Sequence, residues 1–225
     1  RGALHDSLAR QGYFKSEFRR NRYHMKIVQE ASDEVTVEMS GVGNSTVNGL
    51  MLKFFTFRKS ITLRAGETAL AVTYTPTLTM EWQSDRTEWV APWFRATWKV
   101  GKKPFVLTYP GTRVERLPFE QGAPNKELRC VRPTRAWQAI VCPEGVGLAV
   151  DADFTLIDRF NDYVAPMESV AINVMLQPVP LEKGESFTTY FNLTPVAGFD
   201  RVDGVGGCTV GSIALREETV TKGTP

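Results

Sequence analysis

The chain has 225 residues, 42% of them hydrophobic and 23% charged, with a formal net charge of +2. That is enough polypeptide for one large all-β domain or two small ones. Its basic residues are scattered among acids, which leaves no electrostatic footprint for nucleic acid, and no apolar run approaches the roughly 20 residues that span a bilayer.

The opening residues, Arg1 to Phe14, carry charge without an apolar stretch and do not read as a signal peptide. With no initiator Met, the chain reads as a processed form or a fragment; its compartment is open, and an extracytoplasmic location fits if it belongs to a longer precursor. Residues 1–22 form an N-terminal segment with a short helix predicted from His5 to Gln11 and a basic patch from Lys15 to Arg22. Residues 23–205 form the main domain, and residues 206–225, rich in Gly and Thr, read as a tail or linker.

From Tyr23 onward the pattern is that of strands. His24–Val28 and Glu34–Met39 flank Ala31-Ser32-Asp33 as a hairpin, with Val35, Val37 and Met39 alternating against Glu and Thr. Gly41 to Gly49 reads as a polar loop dense in turn residues. The strongest signal is Leu50 to Thr77, two strands reversing at Ala65-Gly66-Glu67, with Ile61, Leu63, Leu70 and Val72 expected in the core and Gly66 supplying a positive φ. Further strands are predicted at Phe105–Thr108, Ala136–Cys142, Gly147–Ala152, Val170–Leu176 and Phe187–Leu193. Pro110 to Pro133 reads as a long excursion with at most one irregular strand. About eleven strands and no long helix predict an antiparallel β-sandwich or barrel.

Two features of this pattern resemble known domains. Arg58 or Lys59, Thr62, Leu63, Gly66, Leu70, Val72 and Tyr74 match the form of a hairpin in galactose-mutarotase-like "supersandwich" domains, and the stretch from Gly184 to Gly204 is similar to their last core strand. The resemblance covers roughly residues 20 to 205. It implies an all-β supersandwich of the kind found in sugar epimerases, glycoside hydrolases, phosphorylases and polysaccharide lyases, often as a non-catalytic part. In the sugar mutarotases a His precedes the run matched here by Thr189-Tyr190-Phe191-Asn192-Leu193; Thr188 occupies that position, which removes the expected general acid.

The candidate chemistry follows from residue types. His5 and His24 are the only histidines and neither has a catalytic spacing, so Ser-His-Asp and Cys-His catalysis are poorly supported. Cys130, Cys142 and Cys208 read as buried free thiols, with a Cys130–Cys142 pair across neighbouring strands as the alternative, and no zinc spacing or cofactor motif is present. Asp151 and Asp153 fall on one side of a strand about 7 Å apart, with Asp158 and Asp162 nearby as possible companions for calcium; Glu81, Asp85 and Glu88 are further carboxylates. The most informative segment is aromatic. Sugar rings stack on Trp while their hydroxyls take forked polar partners, and Trp82, Arg86, Glu88, Trp89, Trp93 and Arg95 offer that mixture, with Trp137 beside Arg135 and Gln138 as a further platform. Pro92 disfavours helix at Ala91, so this segment is expected to be a loop or the start of a strand. The sequence therefore points to a carbohydrate-recognition or scaffold module working on oligosaccharide or polysaccharide beside a neighbouring catalytic domain, without a cofactor or metal. The alternatives are a sugar epimerase or glycosidase using carboxylates, and a purely structural packing module.

Overall fold

The computed structural model describes residues 4–10, 22–47, 50–79, 88–100, 103–119, 126–129, 133–165, 169–207 and 209–212. Among the described residues there are seventeen strands and no helix. One sheet has nine strands in the order β2 (His24–Glu30), β3 (Glu34–Val47), β4 (Leu50–Arg64), β5 (Leu70–Leu78), β15 (Thr189–Ala197), β11 (Val146–Ala152), β10 (Trp137–Val141), β7 (Phe105–Pro110) and β8 (Val114–Phe119). A second has six: β1 (Leu4–Arg10), β6 (Glu88–Lys99), β13 (Ser169–Leu176), β12 (Ile157–Ala165) and β9 (Lys126–Arg129), with β14 (Val179–Leu181) alongside β6. The short pair β16 (Gly204–Gly206) and β17 (Thr209–Gly211) completes the set. The predicted antiparallel β-sandwich is the observed architecture.

Period-2 alternation places the core. On β5, Val72, Tyr74 and Leu78 are buried while Thr73 is exposed; on β15, Phe191 and Leu193 are buried and Tyr190 is exposed. These buried rows meet Phe160, Val170, Ile172 and Val174 of the six-stranded sheet in one cluster. Phe94 of β6 joins the sheets, its ring edge-on to Tyr74 at 4.6 Å and 4.9 Å from Phe191. Each such side chain contributes about 1.5–3 kcal/mol on burial, so the interface between the sheets is the main source of stability.

The central hairpin forms as predicted. Ile61 pairs with Val72 across β4 and β5, and Gly66 takes φ 78° at the turn. Its burial is uneven, however. Val72 is 1% exposed and Ile61 and Leu70 are half-buried, whereas Leu63 is 47% exposed. Leu63 faces Val35 on β3, itself 38% exposed, toward the end of the nine-stranded sheet.

Several other expectations are corrected. The predicted helix at His5–Gln11 is replaced over its described part by β1, which pairs antiparallel with β6 from Leu4↔Ala96 to Arg10↔Val90. The polar loop at Gly41–Gly49 is largely strand: β3 continues to Val47 and stays paired with β4, past an irregularity between Gly43 and Ser45. The excursion Pro110–Pro133 holds two strands, β8 against β7 and β9 against β12, because tertiary pairing supplies what weak periodicity lacks. The segment around Pro92 is neither loop nor strand start but the interior of β6. There, β6 exchanges β13 (through Trp93) for β14 (from Val90), so the residue without an N–H sits in the gap between partners. The tail or linker expected from residue 206 begins instead in a strand pair, Gly204–Gly206 with Thr209–Gly211, and Val205 and Val210 pack on Trp137, Ala139, Val141, Ala149, Val196 and Val202. Cys142 is buried with a free thiol that burial pushes up; Cys130 and Cys208 lie outside the described residues.

Candidate functional site

The outer face of the nine-stranded sheet has two parts, and the burial pattern along β15 marks their boundary. From Thr189 to Leu193 only alternate residues are buried; Thr194 and Val196, on the outer face, are buried too. The change occurs because Phe199, Val202 and the β16–β17 hairpin cover the outer face of β10, β11 and the end of β15. Beyond that cover, the described residues on the outer face of β2–β5 and the start of β15 are mostly polar and half-buried to exposed.

This open face is a set of cross-strand rows. In one, Thr36 pairs with Thr62, Thr62 with Ala71, Ala71 with Asn192, and Asn192 with Asp151. In the next, Glu38 pairs with Ser60, Ser60 with Thr73, and Thr73 with Tyr190. A third runs from Ser40 through Arg58 to Thr75. Hydroxyls are joined across strands, Thr36 to Thr62 at 2.8 Å and Thr75 to Thr188 at 3.0 Å, and Glu38 receives Lys26 at 3.2 Å and Arg58 at 3.8 Å.

The open face meets the covered one at Tyr190. Its ring is 49% exposed. Asn192 Nδ2 donates to Asp151 Oδ2 at 3.3 Å, and the backbone N–H of Gly207, at the hairpin turn with φ 58°, donates to the same oxygen at 3.0 Å. Burial raises the Asp151 carboxyl, and those two donors lower it by favouring the charged form. Partial desolvation, then the Asp153 and Asp151 carboxylates, raise the Tyr190 phenol. Asp153 is fixed in turn by the N–H and hydroxyl of Thr155, at 3.0 and 2.6 Å. The result is an aromatic ring beside two carboxylates, one on β11 and one just past its end, with an amide, a row of hydroxyls and the hairpin turn as a wall on one side.

The predicted ligand residues fall elsewhere. Trp82 and Arg86 lie outside the described residues. Glu88, Trp89, Trp93 and Arg95 lie on β6, in backbone register with Leu181, Pro180, Ser7 and Met175, and His5 and Asn173, respectively. Trp137 is 2% exposed, covered by the C-terminal segment, and offers no ring face for stacking. Of the candidate carboxylates, Asp151 and Asp153 do share one site, Asp158 pairs with Arg159 at 3.3 Å, and Asp162 is buried between the sheets. No group of three His, Cys, Asp or Glu suited to a metal ion occurs among the described residues. Tyr190, Asn192 and Thr73 were left out of the predicted ligand set, although alternation from Thr189 to Leu193 already sets Tyr190 and Asn192 opposite Phe191 and Leu193.

Thr188, at the position where the mutarotases carry His, is exposed and hydrogen-bonded only to another hydroxyl in the described contacts. His24 lies on the same rows but four strands away, β2 to β15, or roughly 19 Å at ordinary strand spacing. That separation is too large for a direct proton transfer at Thr188.

No protein-family model matches the sequence, and no curated protein matches it significantly. Solved structures do match. The Slr1438 protein of Synechocystis sp. PCC 6803 superimposes with TM-score 0.57 at 11% identity, covering 80% of this chain and 68% of that one. A galactose mutarotase-like protein from Lactobacillus casei gives TM-score 0.51 at 14% identity, covering 80% and 75%. The fold is galactose-mutarotase-like. A variant of the GH36 alpha-galactosidase AgaA of Geobacillus stearothermophilus, solved with stachyose, gives TM-score 0.50 at 11% identity, covering 86% of this chain and 30% of that one. The mutarotase-like fold thus matches whole small proteins over most of their length and a minor share of a large one. In this chain it presents the Thr189–Leu193 run on β15, with its even-numbered side chains on the outer face.

Proposed function

We propose that this domain is a carbohydrate-recognition module whose ligand surface is the outer face of the nine-stranded sheet around Tyr190. The observation that carries the reading is the half-exposed Tyr190 beside Asp151, Asp153 and Asn192. A pyranose has an apolar face for such a ring and hydroxyls for carboxylate, amide and threonine partners. One ring contact contributes about 0.5–1.5 kcal/mol beyond area burial, by analogy with aromatic pairs, so affinity depends on the polar row as well. The neighbours' names, a mutarotase-like protein and a galactosidase bound to stachyose, support carbohydrate as the ligand class. A larger protein with a neighbouring catalytic domain is the setting we propose, in keeping with the share of the galactosidase that the fold occupies.

Glu88, Trp89, Trp93 and Arg95 of β6 are a second proposed contact, on the other sheet, and Trp82 and Arg86 are further candidates from the sequence. Titration with a panel of soluble oligosaccharides, followed by tryptophan fluorescence and calorimetry, tests both places. Tyr190→Ala is expected to weaken binding about tenfold and to change stability by less than about 1 kcal/mol, since the ring is half in water. A loss on Trp93→Ala with Tyr190→Ala unchanged would move the site to β6, and a chain that binds no member of the panel would favour the packing-module reading.

The domain is not expected to interconvert sugar anomers, because Thr188 cannot exchange a proton near neutral pH as imidazole does. Polarimetry of freshly dissolved galactose checks this; an acceleration lost on Asp151→Asn would establish a carboxylate-based enzyme instead.

A further inference from the structure

One polar pair lies in the core itself. Gln138 points inward from β10 and Asp162 inward from β12, and at 0% and 1% exposure they meet between the sheets. Gln138 Nε2 donates to Asp162 Oδ2. The other two oxygens, Asp162 Oδ1 and Gln138 Oε1, are buried without a partner. An ionised carboxylate cannot help them, because both are acceptors with no proton between them. A protonated carboxyl solves both problems at once, since its O–H donates to the amide oxygen while its carbonyl accepts from the amide N–H.

We propose that Asp162 is held as the neutral acid in the folded domain and closes a reciprocal acid–amide pair with Gln138, an inter-sheet latch that weakens when the carboxyl ionises. Among the described residues the charged form has the Gln138 amide as its one donor. Phe160 on β12, Val170, Ile172 and Val174 on β13, and Ile140 on β10 are buried and apolar. β9 places Leu128 in register with Asp162, and Lys126, Glu127 and Arg129 are the titratable residues of that strand. Burial pushes the Asp162 carboxyl up to about 7, against the lowering effect of the Gln138 amide.

A group whose folded pKa lies above its unfolded value favours folding fully below the unfolded value and loses that contribution as pH rises through the folded one. For Asp162 the loss falls between about pH 4 and about pH 7, within the range of acidified compartments and media.

The test compares the full chain with Asp162→Asn, whose amide can make the same two-bond pair without titrating. Denaturant unfolding at pH 5 and pH 8 is expected to show the wild-type unfolding constant rising, relative to the variant, on the order of a hundredfold. The wild-type Asp162 carboxyl carbon, followed by NMR, is expected to titrate with a midpoint near 7. A midpoint near the ordinary ~4 would overturn the proposal, as would parallel pH profiles for the two proteins. If Asp162→Asn fails to fold, the NMR titration of the wild type decides alone.

Discussion

Replacing Trp137 with alanine is expected to cost about 3–5 kcal/mol of stability, as for a large aromatic removed from a packed core. The ring is 2% exposed and packs with Ala139, Val141, Ala149, Val196 and Val202 beneath Phe199, Val205 and Val210. Its loss leaves a cavity between the sheet and the C-terminal hairpin, where small residues such as Ala139 and Ala149 cannot move in to fill it. Urea unfolding monitored by circular dichroism measures the effect. Although Trp137 is the cross-strand neighbour of Asp151, its ring is covered and presents no face to a ligand, so the fraction that stays folded is expected to keep binding sugar. A Trp137→Ala protein of wild-type stability that had lost binding would restore Trp137 as a ligand platform.

Gly147→Ala is the second large effect. Gly147 is the second residue of β11, after the turn at Cys142–Gly145, and an added Cβ would overlap the Ile140 carbonyl oxygen and lie 2.9 Å from its carbon. Both are backbone atoms of the neighbouring strand, so no side-chain rotation relieves the overlap. The β10–β11 ladder, paired from Trp137↔Asp151 to Ile140↔Leu148, must shift instead. A loss of about 3 kcal/mol or more is expected, at the upper end of overpacking costs. Gly204→Ala, whose Cβ would meet nothing within 4 Å, is the control and is expected to be near neutral. Equal stabilities for the two variants would show that the ladder at Gly147 has room to give.

Much of the fold was legible because the hairpin from Leu50 to Leu78 carries its pattern locally, alternation on both strands and Gly66 at the turn. What local pattern lacks is the extent of the other layer. Alternation sets Ile61 and Leu63 on one face but does not say that cover ends between them. β12 was missed for a different reason. The register shifts between Ile157 and Arg159, so Ile157 and Phe160 are both buried although three residues apart, and polar residues between them hide the strand.

The errors at Trp137 and at the C-terminal tail are one error. Trp137 lies on the outer face of its strand, and outward-facing Trp beside Arg135 reads as a platform only if nothing covers it. The segment that does cover it, from Phe199 through the β16–β17 hairpin, is short, Gly-rich and without its own periodicity, so it reads as linker. Asp162 likewise looked like a companion carboxylate for Asp151 and Asp153, but β12 belongs to the other sheet and turns it into the core. Asp151 and Asp153 were visible from spacing. Alternation along β15 already turns Tyr190 outward, but its place beside them follows from the pairing of β11 with β15.

The most direct test of the carbohydrate-recognition account is an amide NMR titration of the full chain with the tightest-binding oligosaccharide of the panel. Saturable shifts are expected at Thr73, Asp151, Tyr190, Asn192 and Gly207, and they are expected to vanish in Tyr190→Ala. Shifts confined to β6, or no saturable shift with any sugar, would contradict it.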